Sequence, residues 1–190
     1  MKKNTIKLTT FELILASLFI VLYIVGAKMA VHVFVISFTL QTLFLLIAAM
    51  LLKVRVSVAS VCVYIIMGFI GLPVFSQGGG LAYLQTPGAG FLFGFVFMVF
   101  TVGAIVGTGK RDAGFGKLVV AGVVGVLVQF IVAILYFSFI MDIFMGGENR
   151  TLIYAIKNLF LPFIAADLLK AVIAAIIVKE VKKALPQLKV

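Results

Sequence analysis

The sequence predicts an all-α polytopic membrane protein, and two observations support this prediction. The 190 residues are 64% hydrophobic, and only 12% of them are charged. Their mean hydropathy is +1.31, and a water-soluble domain of this length could not bury so much apolar surface. The apolar residues also form runs long enough to cross a hydrocarbon core of about 30 Å. Such runs are predicted to be helices, because only a helix satisfies all the backbone polar groups of a single segment in lipid.

Six successive apolar runs predict six transmembrane helices. The first run continues past the length of a signal peptide and lacks a small-residue cleavage site, so we expect it to remain as a span. The last run has Asn158 as its predicted N-cap and Pro162 near its first turn, where proline is tolerated. The predicted helices cover residues 9–27, 34–52, 56–75, 88–107, 118–141 and 159–178, within a single transmembrane domain of residues 1–190.

The distribution of Lys and Arg predicts the orientation in the membrane. Twelve of the 16 basic residues fall on one side, in the amino-terminal segment, the second-to-third turn, the fourth-to-fifth loop and the carboxyl tail. Lys28, Arg150 and Lys157 fall on the other side. Because cytoplasmic loops carry the excess of basic residues, both termini are predicted to be cytoplasmic. The net charge of +10 is therefore interpreted as a topology signal, and no nucleic-acid partner is predicted.

Two ionisable residues, Asp167 and Lys170, interrupt the apolar run of the sixth helix. A charge at the centre of a bilayer costs about 2.5–3.5 kcal/mol on insertion scales, so such residues need a reason. Because they are three residues apart, they share one helical face and can pair with each other. Two interpretations stay open. The pair either locks the helix to its neighbours or forms part of a polar binding site in the outer half of the membrane, which we favour.

The outer loop at residues 76–87 (SQGGGLAYLQTP) carries no charge and contains three consecutive glycines. Glycines let the backbone approach a ligand closely and give the segment freedom to open and close, which predicts a lid. A flexible connector is the simpler interpretation. The predicted lid residues are Ser76, Gln77, Gly78 and Leu81. The flanking aromatic residues predicted to line a pocket are Phe75, Tyr83 and Phe91.

Signals for other activities are weak. Residues 104–111 (AIVGTGKR) approximate a phosphate-binding P-loop, but Ala104 and Arg111 depart from its pattern, so a basic cytoplasmic turn is the better interpretation. The only histidine, His32, has no cysteine or carboxylate cluster beside it, and no metal site is predicted. The spans show no HExxH motif and no Ser/His/Asp set, so neither enzyme activity nor a cofactor is predicted.

Five segments, taken together and in this order, carry a family resemblance. They are residues 37–41 (SFTLQ), residues 63–64 (VY) with 68–75 (GFIGLPVF), the glycine run, residues 87–91 (PGAGF) and residues 166–170 (ADLLK). They resemble the BioY family, the biotin-binding membrane subunits (S components) of energy-coupling factor (ECF) transporters. The GLPVF segment and the D-x-x-K pair are the most specific parts.

The resemblance implies a six-helix S-component bundle in the bacterial plasma membrane, with a biotin site under the outer loops. It also implies partnership with a transmembrane coupling protein and two cytoplasmic ATPases, and the chain itself shows no Walker motif. Asp167 is expected to accept from the ureido N–H groups of biotin, and Lys170 to donate to the ureido oxygen. Backbone N–H groups of residues 78–81 are expected to bind the ligand carboxylate. The further expected contacts are Thr39, Gln41, Tyr64, Phe75, Gly79, Gly80, Tyr83 and Phe91.

Three alternatives to biotin capture stay open. The chain could be an S component for another vitamin, such as riboflavin or thiamin. It could be an intramembrane enzyme that uses Asp167 as an acid or base, or a structural bundle subunit whose ion pair is inert. A binding assay across vitamins tests the first alternative, turnover of a lipid-like substrate tests the second, and the absence of any ligand is expected from the third.

Overall fold

The computed structural model describes residues 8–33, 36–86, 88–107, 113–145, 156 and 161–184, and these form a helical bundle. The predicted N-cap Asn158 and the outer-side residues Arg150 and Lys157 lie outside the described residues. The six helices are α1 (Thr10–Lys28), α2 (Gln41–Leu51), α3 (Val54–Phe69), α4 (Ala89–Val106), α5 (Phe115–Met145) and α6 (Leu161–Ala184). A short 3₁₀ helix, Leu81–Gln85, precedes α4.

The prediction of a second helix over residues 34–52 is wrong at its start. The chain there forms an antiparallel hairpin of β1 (Ala30–Val33) and β2 (Ile36–Thr39), with Ala30 opposite Thr39. Five of the ten residues 30–39 are β-branched, and such residues favour extended backbone. This segment is as apolar as a membrane span, so its composition did not distinguish a strand from a helix.

Helix α5 covers Phe115–Met145 rather than residues 118–141, and the ends of α3 and α6 differ from the prediction for local reasons. Helix α3 ends at Phe69 rather than at residue 75, and Gly71 then adopts φ +107°, a conformation that stops a helix. Helix α6 continues to Ala184 rather than ending at residue 178. Its last turns (KEVKKA) are charged but contain strong helix formers, and lysines near a helix C-terminus interact favourably with the helix dipole.

Helix α2 lies at the centre of the bundle. It packs against α1, α3, α4 and α6, and eight of its 11 residues are buried. The outer helices pack in the pairs α1 with α3, α3 with α4, α4 with α5, and α5 with α6. Helices α4 and α5 approach closely at Gly94, where an added Cβ would lie 2.7 Å from the carbonyl oxygen of Gln129. This contact fixes the backbone position of Gln129.

A charged cluster joins the start of α1 to the turn between α2 and α3. Glu12 is 2% exposed and accepts from Lys53 Nζ at 2.9 Å and from Arg55 Nη2 at 3.0 Å. Thr9 and Glu12 also form a reciprocal capping box at the N-terminus of α1. Glu12 is the one buried carboxylate at this end of the described bundle, and the cluster compensates its charge. The hairpin lies at the opposite end.

Three helical segments within the described residues are long and apolar enough to cross a membrane by length and composition. They are Thr10–Lys28, Ala89–Val106 and Phe115–Phe139. Helices α2 and α3 are shorter apolar helices, and the 11 residues of α2 rise only about 16 Å. The six-span topology and the cytoplasmic termini therefore stay predictions.

Labelling of single cysteines tests the predicted orientation. In a Cys62→Ala background, Leu81→Cys should react with a membrane-impermeant thiol reagent on intact cells, because Leu81 is 68% exposed in the segment before α4. Gly116→Cys lies beyond the far end of α4, and no atom lies within 4 Å of the position of its Cβ. It should react only after the membrane is permeabilised. Reaction of Gly116→Cys on intact cells would contradict the orientation derived from the basic residues.

Candidate functional site

A cavity opens at the end of the bundle where β2, the 70–86 segment and the N-terminal halves of α2, α4 and α6 meet. Its empty space, counted together with the open mouth, is about 570 Å³. The residues that line it are Phe38, Thr39, Gln41, Thr42, Ser76, Gln77, Tyr83, Gly88, Phe91, Leu92, Phe95, Gln129, Phe163, Asp167 and Lys170.

Asp167 and Lys170 form the predicted ion pair on one face of α6. Lys170 Nζ donates to Asp167 Oδ1 at 2.6 Å, and each residue is only 6% exposed. Lys170 Nζ also donates to the carbonyl oxygen of Thr39 at 2.6 Å, which ties the hairpin to α6. The second carboxylate oxygen, Asp167 Oδ2, accepts from Thr42 Oγ1 at 3.3 Å and from Gln129 Nε2 at 3.4 Å. The pair thus joins α2, α5, α6 and β2 in one polar network.

Aromatic rings surround this polar network. Lys170 Nζ lies 4.2 Å from the centre of the Phe38 ring, a cation–π contact that further compensates the buried ammonium. The Phe38 ring packs against Phe163 with 6.0 Å between centroids, and Phe91 packs edge-on against Phe130 at 5.4 Å. The cavity therefore offers flat apolar walls around a small polar centre.

Two buried amide atoms at the cavity have no hydrogen-bond partner of good geometry among the described residues. They are Gln129 Oε1, an acceptor, and Gln41 Nε2, a donor, although the Gln41 side chain also interacts with the Tyr64 hydroxyl. An unsatisfied buried polar atom costs about 1–3 kcal/mol, so these two atoms are candidates for contact with a ligand. A ligand that pairs with both atoms carries a hydrogen-bond acceptor and a hydrogen-bond donor.

Two of the backbone donors that the sequence predicted at residues 78–81 are paired within the protein. Gly78 N–H donates to the Phe75 carbonyl at 3.3 Å, and Gly80 N–H donates to the Gly68 carbonyl at 2.7 Å. An added Cβ on Gly79 would overlap the carbonyl oxygen of Leu72, so this glycine permits a close approach within the loop itself. The assignment of the Gly78 and Gly80 N–H groups to a ligand carboxylate is therefore wrong in this conformation.

Tyr64 and Phe75 lie behind the cavity wall rather than in it. The Tyr64 hydroxyl donates to the Val74 carbonyl at 3.2 Å, and the Phe75 ring packs 4.7 Å from the ring of Tyr83. Tyr83 does line the cavity, and its hydroxyl lies 3.4 Å from Ser76 Oγ. Burial raises the pKa of the Tyr83 phenol, so it stays a neutral donor and acceptor at the mouth.

The structure brings together most of the residues that the sequence predicted. The predicted residues that line the cavity are Thr39, Gln41, Ser76, Gln77, Tyr83, Phe91, Asp167 and Lys170. The predicted residues outside its lining are Tyr64, Phe75, Gly78, Gly79, Gly80 and Leu81. Among the residues that the prediction missed, Thr42 and Gln129 contact Asp167 directly. Gln129 is a lone amide in the long apolar helix α5, and polar residues in membrane helices are themselves a signal of function.

The comparison with sequence families decides the relationship. The sequence model described as the BioY family matches residues 1–187, nearly the whole chain. The chain belongs to the BioY family. This confirms the resemblance carried by the five sequence segments, and it places this BioY chain among multi-pass membrane proteins.

Individual relatives agree with the family assignment. This BioY chain is 31% identical to the biotin transporter BioY of Thermotoga maritima over 173 residues, which cover 90% of this chain and 96% of the relative. It is 29% identical to the probable biotin transporter BioY of Pyrococcus horikoshii, again over 90% and 96% of the two chains. A crystal structure of the S-component for biotin from an ECF-type ABC transporter matches with a TM-score of 0.75. That match has 22% identity and covers 93% of this chain and 95% of the other, and it shows a shared fold.

The charge balance of the pair predicts a pattern of stabilities. Asp167→Asn or Lys170→Met leaves one buried charge without its partner, and each should lower the stability by about 3–5 kcal/mol. The double variant removes both charges and should recover most of this loss. Thermal unfolding of the three variants in the same detergent measures the pattern. A double variant that is no more stable than either single variant would show that the two charges do not compensate each other.

Proposed function

We propose that this protein is the biotin-capture subunit, or S component, of an ECF-type vitamin uptake transporter. It binds biotin in the cavity under the outer loops and acts as a substrate-binding subunit rather than as an enzyme. Membership of the BioY family and the names of its relatives as biotin transporters support this function.

The observation that carries the proposal is the match between the cavity's polar atoms and the ureido ring of biotin. That ring has two N–H donors and one carbonyl acceptor. Asp167 and the unpaired Gln129 Oε1 are acceptors for the two N–H groups, and Gln41 Nε2 is a donor for the carbonyl. Lys170 has three N–H donors and uses two of them on Asp167 and the Thr39 carbonyl. Its third N–H can donate to the ureido carbonyl of biotin.

The apolar walls suit the rest of the ligand. Biotin carries a sulfur-containing ring and an alkyl chain beyond the ureido group, and both lack strong hydrogen-bonding atoms. Phe38, Phe163 and Phe91 provide apolar surface next to the polar centre, while Ser76 and Tyr83 provide hydroxyl groups nearer the loop. We place the ureido ring at the α6 network and the chain toward the 76–83 segment.

Uptake needs an energy source that this chain does not supply. The sequence contains no complete phosphate-binding P-loop, since residues 104–111 depart from the pattern. We therefore assign ATP hydrolysis to two cytoplasmic ATPases, joined to this subunit by a transmembrane coupling protein. In this arrangement six spans place both termini in the cytoplasm and the cavity toward the outside of the plasma membrane.

Gln129 provides a test that measures binding and stability separately. Gln129→Leu removes an unpaired buried acceptor, which stabilises the empty protein, and also the hydrogen bond from Nε2 to Asp167, which destabilises it, so the free energy of unfolding without ligand should change by less than about 2 kcal/mol. Affinity for biotin should fall at least about tenfold, because one ureido N–H loses its acceptor. Gln85→Leu, at an exposed position outside the cavity lining, is the matched control and should change neither quantity.

Calorimetric titration of the purified protein measures these affinities. Biotin should bind, whereas an analogue with methylated ureido nitrogens should lose most of the affinity. Riboflavin and thiamin serve as competitors for the alternative vitamins. Tighter binding of riboflavin or thiamin, or unchanged biotin affinity in Gln129→Leu, would contradict the proposed site.

A further inference from the structure

The cavity contains no uncompensated positive charge among the described residues that line it. Asp167 and Lys170 are its charged members, and they pair at 2.6 Å, so their charges cancel. The other lining residues are neutral, including Ser76, Gln77 and Tyr83 beside the loop. Biotin ends in a carboxylate, and that negative charge needs a donor or a cation elsewhere.

Lys28 lies next to the loop that borders the cavity. It is the last residue of α1, is exposed, and its Nζ donates to the carbonyl oxygen of Phe75 at 2.8 Å. Phe75 is followed directly by Ser76 and Gln77, which line the cavity. The carbonyl that binds the ammonium therefore belongs to the peptide unit that joins Phe75 to Ser76, the first lining residue of the loop.

The ammonium of Lys28 retains donor capacity in this position. An ammonium has three N–H donors, and the bond to Phe75 uses one of them. The flexible four-carbon stem lets the charged head move while the helix stays in place. Because the side chain is exposed, an ion pair made here is open to water and is screened by salt.

We propose that Lys28 is the specificity-determining counter-ion for the carboxylate of the ligand. The inference rests on the proposed function, since it assumes that biotin occupies the cavity with its ureido ring at Asp167. In this arrangement the two ends of the ligand are bound by different kinds of interaction. The ureido end is bound by a buried, fully desolvated network, and the carboxylate end by one solvent-exposed cation.

A second role for Lys28 must be separated from this one. The bond to Phe75 holds the loop, and a lysine in the last turn of α1 also stabilises the helix C-terminus. Loss of either structural effect would weaken every ligand alike. Loss of a counter-ion would weaken only a ligand that carries the negative charge.

Comparison of biotin with its neutral amide, biotinamide, separates the two roles. In Lys28→Met, biotin affinity should fall roughly three- to tenfold, as expected for a partly exposed ion pair, while biotinamide affinity should stay within twofold of wild type. Lys28→Arg should retain the preference for biotin. Lys117→Met is the matched control, because Lys117 also donates to a backbone carbonyl, that of Val106, at the opposite end of the bundle.

Salt dependence gives an independent readout. Biotin binding to the wild type should weaken as NaCl rises, and Lys28→Met should lose most of that dependence. Equal losses for biotin and biotinamide in Lys28→Met, or no loss for either, would overturn the counter-ion role while leaving biotin capture intact. Failure of the wild type to bind both ligands would instead overturn the proposed function on which this inference depends.

Discussion

The buried Asp167–Lys170 ion pair is the constraint on which the cavity end of the bundle depends. Two charges in a region of low dielectric are stable only when each is paired and hydrogen-bonded. Here the carboxylate is reached by Thr42 and Gln129, and the ammonium by the Thr39 carbonyl and the Phe38 ring. The four compensating groups come from three elements, so satisfying the pair also fixes α2, α5 and strand β2 against α6.

The same network leaves part of its hydrogen-bonding capacity unused. The Gln129 amide donates to Asp167, but its oxygen has no partner among the described residues. A core built only for stability would place an apolar side chain at this position. The retained cost is consistent with a cavity that is completed by a ligand, and it explains why binding and stability should respond differently to changes in the wall.

The sequence predicted the centre of the site better than its surroundings. Asp167 and Lys170 stood out because charges are rare in apolar helices, and their spacing required a shared face. Gln129 carries no charge and was missed, although a lone amide in α5 is the same kind of signal. The hairpin at residues 30–39 was missed because hydropathy measures composition and ignores the preference of β-branched residues for strands.

The assignment of the Gly78 and Gly80 backbone donors failed for a related reason. Three consecutive glycines predicted freedom and ligand contact, yet Gly79 approaches Leu72 and the N–H groups of Gly78 and Gly80 bond within the protein. A glycine signals a close approach of backbone without identifying what approaches it. That partner depends on the path of residues 70–80, which the sequence pattern did not determine.

The distance between biotin and Asp167 tests the central claim most directly. Solid-state NMR dipolar recoupling can measure it between ¹⁵N-labelled ureido nitrogens of biotin and the ¹³C-labelled side-chain carboxyl carbon of Asp167 in membranes. A hydrogen bond from a ureido N–H to the carboxylate requires a nitrogen-to-carbon distance of about 3.5 Å. We expect that distance for one of the two nitrogens. Bound biotin with both nitrogens farther than about 6 Å from this carbon would contradict the assignment of Asp167 to the ureido ring.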